Sequence, residues 1–237
     1  MKLDIKGENP MSRMYRLSRF FLNPLSKIIW PTTIINKENF DNFKGGMLIC
    51  NHYTSLDGVV MGALLMKDEL NVVAKQEAFE KKIGGWYLRK VGCIPVNRGE
   101  ADIQAMKSIM NILKDENRKL LIFPEGTRNR DYDEKLLPFK HGPARFAIKA
   151  KRNILPMIYH HSLKKFKRTY LYIGEPIDMS QFFNDKPTDE NKERATQYVY
   201  EKMQETRRLC NEAVEEILAK KNKKKSKKVK PEAEENA

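Results

Sequence analysis

The chain predicts an α/β fold, a mostly parallel central sheet flanked by helices, on two observations. Short apolar runs with β-branched content recur from Phe40 onward, and longer segments of helical period lie between them. Strands separated by helices favour a layered architecture with parallel pairing. At 237 residues the chain is long enough for one substantial domain with appended segments.

Taken in order, residues 13–29 come first. At 100° per residue, Met14, Leu17, Phe21, Leu22, Leu25, Ile28 and Ile29 fall on one side, and Arg13, Arg16, Arg19, Asn23, Ser26 and Lys27 on the other; Phe20 alone breaks the pattern. Pro24 lacks an amide hydrogen and predicts a kink or two short helices. Such a segment suits either a helix packed on the core or one lying in a membrane interface, and the absence of acidic residues from Met11 to Lys37 favours the interface. Strands are expected at 47–50, 70–74, 91–96, 119–123, 154–159 and 169–173, with helices at about 56–66, 77–89, 101–115 and 140–151. A long helix is expected at 189–219: Thr188 is placed to cap it, Asp189 and Glu190 sit at its positive end, and Val199, Met203, Cys210, Val214 and Ile217 form a stripe. Beyond Ala219 the lysine-rich, low-complexity run predicts disorder. The chain therefore divides into an N-terminal amphipathic segment (1–38), a main domain (39–219) and a basic tail (220–237).

The formal charge is +14. Eight lysines from Lys220 to Lys230, against Glu232, Glu234 and Glu235, leave +5 on the tail and +9 on the body. Such a body expects anionic company: phosphorylated metabolites, acidic lipid head groups or nucleic acid. No nucleic-acid module is recognisable, so that partner is not expected. Three cysteines without regular spacing fit buried thiols in a reducing compartment. Residues 1–10 are polar and lack the apolar core of a secretory signal, and no run reaches the roughly 18 apolar residues of a spanning helix. A protein peripheral to the cytoplasmic face of a membrane is expected.

Two stretches carry chemistry. In "NHYTSLDG" (51–58), His52 and Asp57 follow an expected strand and open an expected helix. A neutral imidazole can take a proton from a hydroxyl, and a carboxylate on its other nitrogen fixes the tautomer. Thr54 and Asp57 equally resemble a capping box, with aspartate in the usual glutamate place. From this stretch alone both assignments stay open. In "FPEGTRNR" (123–130), again at a strand end, Gly126 permits close backbone approach or positive φ, Thr127 can donate a hydrogen bond and Arg128 can grip a phosphate bidentately. His160 and His161 are adjacent, so in a strand they would point to opposite faces, and no cysteine pair has zinc spacing, so no metal is expected. Cys50 in an apolar run is expected to be a core thiol rather than a nucleophile.

"NHYTSLD" followed some seventy residues later by "FPEGTR" resembles the glycerolipid acyltransferase family, the 1-acyl-glycerol-3-phosphate acyltransferases in particular. "GCIPVNRG" (92–99) and "ILPMIY" (154–159) resemble two further blocks of that family, in the same order, over about residues 40–175. The resemblance implies a glycerol-3-phosphate acyltransferase-like fold, with His52 as general base and Asp57 as its partner. It also implies acyl transfer from acyl-CoA or acyl carrier protein to the sn-2 hydroxyl of lysophosphatidic acid, forming phosphatidic acid without a covalent acyl-enzyme. No cofactor beyond that acyl co-substrate is implied. Glu125, Gly126, Thr127 and Arg128 match the acceptor-binding block, Arg98 the middle block, and Lys75 a phosphate-binding lysine. Glycerol 3-phosphate or another lysophospholipid are alternative acceptors. Thr54 stands for the family's usual serine, and Asn97 for a frequent aspartate beside Arg98.

Overall fold

The computed structural model describes residues 13–65, 70–97, 102–131 and 135–229. After a first helix α1 (Arg13–Ile29), the chain alternates strands and helices: β1 (Thr32–Ile35), α2 (Lys37–Asn42), β2 (Gly46–Cys50), α3 (Asp57–Leu65), β3 (Leu70–Lys75), α4 (Lys82–Lys90) and β4 (Ile94–Val96). It continues through α5 (Ile103–Lys114), β5 (Lys119–Ile122), α6 (Gly142–Ala150), β6 (Ile154–Tyr159), β7 (Thr169–Ile173) and the long α7 (Asp189–Val229). The strands form one sheet in the order β1-β7-β6-β2-β5-β3-β4, parallel except for the β6/β7 pair.

Period-2 alternation divides the sheet's side chains between two cores. Met47, Ile49, Leu120, Ile122, Ile154 and Ile158 face a cluster that includes Ile109 and Leu113 of α5 and Val199 and Met203 of α7. Leu48, Cys50, Leu121, Leu155 and Met157 face the other, with Phe40 of α2 and Val60 and Met61 of α3. Every residue of β2, β5, β6 and β7 is buried, as continuous apolar runs in a sheet covered on both faces require.

Strand order reverses around β2, with β6 on one side and β5 on the other. The chain leaves β2 for α3 on one face and leaves β5 for α6, whose Ala144 and Ala147 pack in the core cluster on the opposite face. A crevice opens at the carboxyl ends of strands where successive connections part in this way, and both predicted loops lie there.

The structure differs from the sequence expectations in five places. The 77–89 segment splits into a 3-10 turn (Gln76–Phe79) and α4. β1 and α2 are additional; four residues after a proline are too short a run to register as a period. α1 continues through Pro24, held there by Asn23, whose Nδ2 donates to the Ala63 carbonyl of α3 at 2.8 Å, and by Ser26, whose Oγ donates to the Asn23 carbonyl at 2.9 Å. α7 begins as expected, with the Asn191 amide donating to Thr188 Oγ1, but continues ten residues past Ala219. Lysine is a good helix former and its charge favours a helix's negative end. His160 and His161 lie just past β6 rather than within it, and their rings meet edge to face at 5.5 Å.

Candidate active site

Asn51 ends β2 in a particular way: its side-chain amide donates to the Tyr159 carbonyl at 3.1 Å, and its Oδ1 accepts from the Tyr159 amide at 2.8 Å. A side chain thus continues the β2/β6 ladder by one residue. The main chain is then released to turn at His52.

Asp57 is the first residue of α3 and fully buried. Its Oδ2 accepts from His52 Nδ1 (3.0 Å) and from the amides of Tyr53 (2.7 Å) and Thr54 (2.8 Å), while Oδ1 accepts from Thr54 Oγ1 (2.6 Å). Four donors and a helix N-terminus offset the cost of burying this carboxylate. Thr54 Oγ1 also accepts from the Leu56 amide at 3.2 Å. The cap and the His-Asp contact therefore coexist, one carboxylate serving both.

The loop after β5 holds His52 from the other side. The His52 ring stacks on Phe123, centroids 3.9 Å apart and planes 19° from parallel. Its amide donates to Glu125 Oε1 at 3.2 Å, and its carbonyl accepts from the Asn129 amide at 2.7 Å. Gly126 adopts φ +68°, a backbone conformation that favours glycine, beside the Lys140 side chain.

His52 lines a cavity of about 700 Å³. Lys75, Arg128, Arg130 and Lys140 supply exposed cations to its lining, while Val72, Val91, Ile109, Phe123 and Phe146 line it with apolar surface. Tyr15, Ser18, Arg19 and Leu22 bring α1 into the same wall. The space suits a ligand with an anionic head and an apolar tail. Cys93 also lines it, but burial pushes that thiol up to about 12, and burial, reinforced by the Asp57 carboxylate, raises the Cys50 thiol well above its ordinary value. Neither is a thiolate near neutral pH.

The structure gathers His52, Lys75, Gly126, Thr127 and Arg128 on this cavity, with Asp57 behind His52. Lys75 Nζ contacts Glu77 Oε1 at 2.5 Å. Glu125 is buried and turns its carboxylate to the His52 amide rather than lining the cavity. Arg98 lies outside the described residues. Sequence reasoning overlooked Arg130, Lys140, Asn51 and, most of all, Arg207 on α7. Arg207 is 6% exposed; its guanidinium donates to the carbonyls of Tyr159 (3.1 Å) and His160 (3.0 Å) and to Tyr53 Oη (2.9 Å). The available signal was a charge at 207 between Met203 and Cys210, within the apolar stripe of α7.

A family model described as Acyltransferase matches residues 31–160. The 1-acyl-sn-glycerol-3-phosphate acyltransferase of Bacillus subtilis is 28% identical over 174 residues, 71% of this chain and 85% of that protein. Enzymes of the same name from Helicobacter pylori and Streptococcus pneumoniae are 34% and 32% identical; the chain spans 57% and 50% of their lengths. The crystal structure of the 1-acyl-sn-glycerophosphate (LPA) acyltransferase PlsC from Thermotoga maritima superposes with a TM-score of 0.57 at 22% identity, over 81% of this chain and 78% of that one, a likeness of fold.

Proposed function

This chain belongs to the acyltransferase family, and from that premise we propose that it transfers a fatty acyl group from acyl-CoA or acyl carrier protein to the sn-2 hydroxyl of lysophosphatidic acid, yielding phosphatidic acid. The His52 Nδ1 to Asp57 Oδ2 contact of 3.0 Å, on the wall of a cavity with cationic and apolar surfaces, carries the proposal. An ionised carboxylate only accepts, so Nδ1 keeps its hydrogen and Nε2 presents a lone pair to the acceptor hydroxyl. As the hydroxyl oxygen attacks the thioester carbonyl, Nε2 takes its proton. The tetrahedral intermediate collapses, the C–S bond breaks, and the departing thiolate takes a proton from the imidazolium. Asp57 stabilises the cation between those steps without being protonated itself. No covalent acyl-enzyme forms, in keeping with neutral Cys50 and Cys93 thiols. Arg128 is assigned to the acceptor phosphate, with Lys75, Arg130 and Lys140 adding positive potential and Thr127 a hydroxyl donor, while Glu125 and Gly126 shape the loop that presents them. The acyl thioester is the only co-substrate needed. Arg98 is assigned to the same acceptor site on its sequence block alone.

The enzyme is placed peripherally at the cytoplasmic face of an anionic membrane. Support comes from the orientation of α1. The side it packs on the domain is not its apolar stripe: Tyr15 Oη donates to the Gly62 carbonyl, Asn23 to Ala63, and Ser26 is buried. Leu17, Phe20, Phe21, Leu25 and Ile28 are exposed. A helix packed for a soluble domain would turn these the other way, and a large exposed apolar patch marks an interaction surface. No described helix is long and apolar enough to cross a membrane.

The test is acyl transfer to lysophosphatidic acid by the wild type, His52→Ala and Asp57→Asn. Losses of about 10² to 10⁴ in turnover are expected for His52→Ala, the usual worth of positioned proton transfer. Full activity in both variants would remove the proposed base. Comparing lysophosphatidic acid with glycerol 3-phosphate and an uncharged alcohol assigns the acceptor.

A further inference from the structure

The connection between β6 and β7 places five consecutive exposed residues, Lys164, Lys165, Phe166, Lys167 and Arg168, at the sheet's catalytic edge. The edge follows from topology: β2, β5 and β6 are parallel, so the chain leaves all three at the end that carries His52 and the 123–130 loop. Phe166 is 73% exposed and adopts φ +59°, a left-handed conformation that bulky residues rarely occupy. Its amide donates to the Ile29 carbonyl at 2.6 Å, at the end of α1 and one residue from the exposed Ile28. Arg168 reaches Thr33 Oγ1 at 3.0 Å just beyond. The loop is therefore fastened to the last turn of α1 and continuous with its exposed face.

We propose that this loop is a second lipid-contacting element, Phe166 entering the interface of an anionic bilayer while Lys164, Lys165, Lys167 and Arg168 meet the head groups. The inference rests on the membrane reading of α1 and adds to it a second point of attachment, on the β6–β7 connection. An aromatic ring flanked by four cations matches a surface that is apolar below and negative above. Backbone strain at Phe166 accords with a side chain kept for what it meets outside the fold, since the described residues leave it 73% exposed. Two attachments, at the α1 stripe and at this loop, define the plane in which the catalytic edge faces the lipid.

The test uses the full chain and vesicles of phosphatidylcholine with and without phosphatidylglycerol. Phe166→Asn is the informative variant, because asparagine tolerates the left-handed backbone and removes the ring. Its unfolding midpoint is expected to equal or exceed that of the wild type, and its affinity for anionic vesicles to fall about tenfold. Phe166→Trp is expected to show a blue-shifted emission on adding vesicles, quenched by brominated acyl chains, over the wild-type signal of Trp30 and Trp86. Wild-type vesicle affinity in Phe166→Asn, or an unmoved emission in Phe166→Trp, overturns the proposal. So does a Phe166→Asn defect confined to acyl carrier protein thioesters, which would make the loop a protein-docking site. The parent reading has its own arm: Leu17→Ser/Phe21→Ser/Ile28→Ser. If that variant leaves the vesicles and Phe166→Asn does not, the loop proposal falls and the α1 reading stands; if the wild type does not bind, both fall.

Discussion

Arg207 carries the largest structural consequence of any single side chain that sequence reasoning overlooked. Its three charge-assisted hydrogen bonds join α7 to the end of β6 and to Tyr53, whose own amide is bonded to Asp57. A buried guanidinium contributes here by satisfying two carbonyls and a hydroxyl at once. Arg207→Met keeps much of the volume but removes all three bonds, leaving the Tyr159 carbonyl only its bond from Asn51. A stability loss of about 3 kcal/mol is expected at hydrogen bonds of roughly 1.5 to 3 kcal/mol each, only partly compensated by the methionine's packing. Urea unfolding measures it. Turnover at saturating substrate should fall as well, because the Tyr53 segment aims His52; unchanged turnover would make Arg207 structural only. The His52–Asp57 relation was legible because it is local, five residues apart. Arg207 to Tyr159 spans 48 residues and Asn51 to Tyr159 spans 108, and no period in a sequence reports such pairings.

Among elements, the strands were the most readable, because a doubly covered parallel sheet demands continuous apolar runs and the chain supplies them at β2, β5, β6 and β7. α1 was half readable. Its amphipathic pattern was plain, but a pattern does not say which side faces the domain, and the structure leaves much of the apolar stripe exposed while Tyr15, Asn23 and Ser26 meet the domain. Leu17→Ser/Phe21→Ser/Ile28→Ser should therefore leave the thermal midpoint nearly unchanged, since exposed substitutions usually stay within about 0.5 kcal/mol, while abolishing vesicle binding in a flotation assay. A clear drop in the midpoint would instead mean that these residues pack against the domain. α4 and its preceding 3-10 turn were merged in the sequence because both share one helical period, and only the backbone separates them at Lys81.

For the whole molecule, the fold class followed from the alternation of runs, and the candidate site from two motifs at strand ends, "NHYTSLDG" and "FPEGTRNR", and the family resemblance they carry. The cavity itself was not legible: Tyr15 of α1, Lys75 of β3, Arg128 after β5 and Phe146 of α6 meet in it only once the sheet is ordered. One consequence lies in α1, which both exposes an apolar stripe and supplies Tyr15, Ser18, Arg19 and Leu22 to the cavity wall. On the proposed membrane reading, a wall that is also a foot would let an insoluble acceptor enter sideways from the lipid film without crossing water. The quantity governing the rate would then be crowding within the film. Diluting lysophosphatidic acid with inert phospholipid, at constant total acceptor per litre, should slow the reaction in proportion to the acceptor's mole fraction, whereas an enzyme fed from solution would keep its pace.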